Sequence, residues 1–209
     1  MTAPAFNGTF PHNWTAEILP ARPMILPSRH YVYPGVVEEV ERGALEVLIQ
    51  PRGEILPQPF LATFALGFRD PATPTGIWSM PDPDWLCAVS GGYVYLVNVR
   101  APERFTMLRY RPVLNIYCYS SDVLHKTGDN LYKTPDSLYS LCDKLLLFVG
   151  HHSILAWGRD GEAWESDRLS WEGITVGRFE GHTLHGLGWD LMTDKDLPFV
   201  VDLRTGQRL

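Results

Sequence analysis

Cysteine is scarce: three residues in 209, Cys87, Cys118 and Cys142. None forms a C-x-x-C pair, and an odd count does not suit a disulfide framework. Cys87 and Cys118 sit in apolar, strand-like runs, where a thiol acts as a small hydrophobe. Long apolar runs are missing too, and without about 18 consecutive apolar residues no membrane-spanning helix is expected. The opening MTAPAFNGTFPHNW has no basic region followed by an apolar one, so no secretory signal is expected and the cytoplasm is the expected location. Positive charge is in deficit: 18 Lys and Arg against 24 Asp and Glu give a net charge of −6. With no basic cluster to override that field, a nucleic-acid partner is not expected.

Chemical motifs are equally thin. No glycine-rich stretch follows a strand and opens a helix, so there is no phosphate cradle. Ser90 before Gly91 is not a G-x-S-x-G elbow. Cys142 falls at the end of an expected helix, where the negative dipole does not stabilise a thiolate. Glu38-Glu39 and Asp194/Asp196 read as solvated acids. No catalytic residue, no metal ligand set and no cofactor is assigned, and an enzyme is not the expected reading.

What is present is apolar and aromatic: 45% hydrophobic residues, seven tryptophans, and only 20% charged residues. That composition builds a core without disulfide staples. Residues 1–35 form an arm punctuated by Pro4, Pro11, Pro20, Pro23, Pro27 and Pro34. Each proline lacks a backbone donor, so the arm cannot be a central strand or a long helix. Its apolar content makes it a cover for the body or for a partner chain. Residues 36–209 read as a single all-β domain.

The strands are legible one by one. ALEVLIQ (Ala44–Gln50) stops at Pro51. FLATFALGF (Phe60–Phe68) is unbroken in apolar character and suits a strand buried on both faces. Trp85–Val89 and Tyr93–Val99 flank Ser90-Gly91-Gly92, whose glycines supply the positive φ of a tight hairpin. VLNIYCY (Val113–Tyr119) follows. Thr134-Pro135-Asp136-Ser137 opens one short helix at 135–143. From Lys144 onward short strands alternate with turns at Gly158-Arg159-Asp160-Gly161 and Glu180-Gly181-His182, and PFVVDL closes the chain before RTGQ.

An internal duplication is expected, relating 85–125 to 145–185. AVSGGYVYL (Ala88–Leu96) lies over FVGHHSILA (Phe148–Ala156), and Leu124-His125 over Leu184-His185, at a shift of 60. The segment LLLFVGHHSILAWGRDGEAWES, with its D-G-x-x-W corner, and VVDLRTGQ, with its D-L-x-T-G corner, resemble a blade of the β-propellers of quinoprotein-like and WD-type repeats. The resemblance implies antiparallel multi-stranded sheets and no quinone chemistry. A short propeller, open blade-like sheets and a β-sandwich all satisfy it.

Candidate ligand or interface residues cluster in the second half: His151, His152, Arg159, Asp160, Trp164, Trp171, His182, His185 and Trp189. His182-x-x-His185 with Glu180 and Asp190 is the nearest set to a metal site, but on a strand i and i+3 point to opposite faces. His151-His152 occupies a hairpin tip. The tryptophans fill a core, anchor a protein interface or stack on a sugar. The expectation is a protein-binding or self-associating module without catalytic chemistry. The alternative is an enzyme, or a sugar- or metal-binding protein, using the His, Arg and Asp groups on turns.

Overall fold

A computed structural model of the chain describes residues 4–35, 40, 43–53, 58–121 and 144–209. The expected helix at 135–143, together with His125 and Cys142, lies outside them. Every named element among the described residues is a strand, and the sixteen strands form four mostly antiparallel sheets. The fold is all-β. The chain divides into two compact units, Met1–Leu114 and Asn115–Leu209.

In the first unit, one sheet runs β1 (Ala5–Asn7), β6 (Gly76–Ser79), β7 (Trp85–Ser90), β8 (Tyr93–Asn98), β9 (Phe105–Met107). The other runs β2 (Trp14–Leu19), β4 (Ala44–Pro51), β5 (Phe60–Ala65), β3 (His30–Tyr33). The arm's strands β1, β2 and β3 all lie at sheet edges, and its six prolines all fall outside the strands. A residue with no N–H to give can be housed there without leaving a ladder acceptor empty. On β4, alternation sends Leu45, Val47 and Ile49 into one core with Phe64, Leu86 and Tyr95 of β5, β7 and β8. β5 is buried at every position, as its unbroken apolar run requires, though it ends at Ala65 and not at Phe68. The hairpin between β7 and β8 has φ 57° at Gly91 and 76° at Gly92, the left-handed pair that a two-residue turn demands.

The second unit holds β10 (Asn115–Ser120), β11 (Lys144–Val149), β12 (Ile154–Gly158) and β13 (Gly161–Glu165) in sequential order. A three-stranded sheet of β14 (Ile174–Glu180), β15 (Thr183–Asp190) and β16 (Lys195–Asp202) completes it. Leu145, Leu147 and Ile154 of the first sheet share a core with Leu184, Phe199 and Val201 of the second. β16 begins at Lys195, three residues before the expected start at Pro198. It is an edge strand, so Pro198 interrupts no pairing on its open side.

Sheets of three to five strands are therefore what the blade resemblance reached; among the described residues they do not close into a propeller. The two segments aligned at a shift of 60 form hairpins, β7–β8 and β11–β12, each central in its sheet.

Candidate functional site

The one place where candidate residues meet is in the second unit, and backbone hydrogen bonds build it. The turn between β11 and β12 presents the carbonyls of His151 and His152. The His152 oxygen accepts from Leu169 N (2.7 Å) and Ser170 N (3.3 Å), and the His151 oxygen from Gly173 N (3.0 Å). On its other side the same segment reaches β15: Trp171 N donates to the Trp189 carbonyl at 2.9 Å, and the Ser170 hydroxyl donates to that oxygen at 3.3 Å. Gly188 allows the approach, because a Cβ there would stand 2.2 Å from the Leu169 oxygen.

This clamp places Trp171 and Trp189 on a cleft of about 100 Å³, with Arg168, Ser170, Asp190, Leu197 and Arg208 also in its wall. Trp171 is 44% exposed. The Arg168 guanidinium lies 4.4 Å from the centre of its ring, a cation–π stack. The Trp189 indole N–H donates to Asp194 Oδ1 at 3.2 Å. Asp194 sits at φ 54° in the β15–β16 turn, which displays Leu191 and Met192 to solvent.

The other candidates do not join them. Trp164 is a core residue: its indole N–H donates to the Leu203 carbonyl at 2.8 Å. Arg159 and Asp160 are exposed at the β12–β13 turn. His182, in the β14–β15 turn, has Nδ1 3.1 Å from the Tyr119 hydroxyl, which itself donates to the Gly181 carbonyl. His185 Nε2 lies 3.1 Å from Thr183 Oγ1 and 3.4 Å from Glu180, a carboxylate also met by Arg178. The six polar candidates thus occupy four separate places, and none lines the cleft. Among the described residues, no group of three or more His, Cys, Asp or Glu side chains could hold a metal ion.

Near His182 stands Asp202, whose carboxylate accepts from Arg204 Nε at 3.0 Å and Nη2 at 2.6 Å. Those bonds hold the Asp202 carboxyl below its ordinary range, against the opposing effect of burial. A depressed carboxyl contributes stability above its unfolded pKa, about 3.9, that is lost as pH falls through the lower folded value. Asp202→Asn is therefore expected to be less stable than the parent at neutral pH, with the gap closing on acidification below about pH 4. Urea midpoints measured across that range check it; a gap independent of pH contradicts it.

Two features escaped the sequence. Arg168 and Arg208 line the cleft, and the only trace was an arginine three residues before a tryptophan. In the first unit, Glu46 is buried and paired with Arg22 at 3.0 Å, the Thr63 hydroxyl donates to Glu46 Oε2 at 2.6 Å, and His30 Nε2 lies 2.9 Å from Thr63 Oγ1. Burial and the Arg22 charge lower the His30 pKa. A lone acid inside ALEVLIQ was the signal, since a carboxylate on a buried strand needs a partner. A cavity of about 300 Å³ opens beside Arg22 and Glu46.

Comparison with protein-family models, curated proteins and solved structures gives no match for this chain.

Proposed function

We propose that the protein is a non-catalytic interaction module whose partner protein docks at the Trp171–Trp189 cleft. The observation that carries this reading is composition at one spot: a half-exposed indole under a stacked guanidinium, with the exposed Leu197 in the same cleft wall and the exposed Leu191 and Met192 on the turn that follows Asp190. Tryptophan and arginine dominate the energetics of protein interfaces, and exposed apolar side chains around them exclude water once covered. A second contact is offered by the first unit. The crossover from β2 to β3 leaves Met24, Ile25 and Leu26 exposed between Pro23 and Pro27. Arg22 ties one end to Glu46, and Arg29 ties the other to the Gln58 carbonyl and lies over Phe60. Self-association is one form of the same reading. The enzyme alternative receives no support from the scattered polar candidates.

A photo-crosslinking residue, p-benzoylphenylalanine, in place of Trp171 tests it in the cell that makes the protein. A discrete adduct is expected from position 171 and none from position 159, on the remote β12–β13 turn. An adduct of twice the chain mass identifies self-association. No discrete adduct at 171, or the same adducts from both positions, overturns the proposal.

A further inference from the structure

The cleft gathers exposed cationic side chains that have no acidic partner among the described residues. Arg168 forms no ion pair and no hydrogen bond among the described residues, and its guanidinium is held only by the face of Trp171. Arg208 gives one N–H to the Pro198 carbonyl at 3.2 Å and has no carboxylate partner among the described residues. The Trp171 indole N–H has no acceptor there either. The lining holds one acid, Asp190, and its Oδ2 is turned to the Thr193 N–H at 3.0 Å and hydroxyl at 2.8 Å. Two arginines without a carboxylate partner, and an indole N–H without an acceptor, thus border one small cleft among the described residues of a chain of net charge −6. Two exposed guanidinium groups with no carboxylate partner among the described residues suit an anionic group, and a guanidinium matches a carboxylate in a planar fork.

Size narrows the ligand. At about 100 Å³ the cleft is well below the roughly 300–1,000 Å³ of small-molecule sites. That space suits one acidic side chain of a docking segment, next to Leu197 and the Trp171 ring. We infer that the Arg168–Trp171–Arg208 cleft is a carboxylate-binding site, and that the partner segment presents a Glu or Asp beside an apolar residue. This inference rests on the interaction reading above and names the chemistry of what docks there.

The test uses the full chain and the indole N–H resonances of Trp171 and Trp189. The probes are acetyl-Glu-Leu-Glu-amide, its neutral counterpart acetyl-Gln-Leu-Gln-amide, and inorganic phosphate, at constant ionic strength. The Glu peptide is expected to give a saturable shift of both signals, with the Gln peptide at least tenfold weaker. Arg168→Gln and Arg208→Gln are each expected to weaken the response at least tenfold with the melting temperature unchanged, because neither side chain is buried in the core. Equal responses to the two peptides overturn the inference, as does full binding to the double variant or no saturable shift at millimolar peptide. Saturation by phosphate with no peptide response also overturns it and points to a phosphate site. A discrete crosslink from position 171 with no response to the Glu peptide sinks the carboxylate assignment and leaves the interaction module standing.

Discussion

Trp164→Ala should destabilise the protein by about 3–5 kcal/mol, the range for deleting a large buried aromatic. The ring is 8% exposed and belongs to the second unit's core. Two losses combine. The cavity left behind is flanked by Gly206, so close that a Cβ there would lie 2.6 Å from the indole. Gly206 itself stands at φ 75°, and its N–H is tied to the Asp202 carbonyl at 2.8 Å, which leaves the corner little room to collapse inward. The Leu203 carbonyl also loses its 2.8 Å donor. Trp164→Phe separates the terms: it keeps most of the volume and should cost about 1–3 kcal/mol for the orphaned carbonyl and the smaller ring. Urea denaturation of both variants is the measurement. An alanine variant within about 1 kcal/mol of the parent would show that the indole is not a core element.

Gly188→Ala is expected to be nearly as damaging although it adds a single methyl. Its Cβ would lie 2.2 Å from the Leu169 oxygen and 3.0 Å from the Leu169 carbonyl carbon, both backbone atoms that cannot rotate away. The segment carrying them is bonded to His152 on one side and Trp189 on the other. Relief requires moving that segment or breaking its bonds. Overpacking costs about 1–3 kcal/mol where side chains can yield, and about 3 kcal/mol or more is expected where only main chain is available. The signature is specific: the Trp171 indole resonance should shift even in whatever fraction remains folded. Gly177→Ala is the control, because its nearest neighbour is the His185 oxygen at 3.2 Å and a small give accommodates it. Equal stability of the two variants in a thermal melt would refute the close approach at Gly188.

Local chemistry made the strands readable. ALEVLIQ alternates and becomes β4; FLATFA does not alternate and becomes the fully buried β5; Gly91-Gly92 turns the chain between β7 and β8. The arm's prolines correctly barred β1, β2 and β3 from sheet centres, but nothing local announced that β1 and β3 pair in parallel with β6 and β5. Such pairings join residues about 30 to 70 positions apart, and strand propensity carries no address. The D-G-x-x-W and D-L-x-T-G corners were visible as separate turns. Their meeting, with Trp164 bonded to Leu203 and lying on Gly206, is a tertiary event. The cleft was half legible: Trp171 and Trp189 stood out by type, whereas Arg168 and Arg208 look like any surface arginine until the fold assembles them around one cavity. Of the Arg22–Glu46–Thr63–His30 group only Glu46 left a trace, as a lone acid on a strand, since the members come from the crossover and three different strands.

The histidine pair at the β11–β12 tip holds the Trp171 segment through carbonyl oxygens alone. Any two residues that tolerate the turn supply the same oxygens, so the identity of both imidazoles is surplus to the architecture. Positions 151 and 152 are therefore natural ports for a spectroscopic label: a dye attached there would sit next to the segment that carries Trp171 and report on the proposed docking cleft without being part of it.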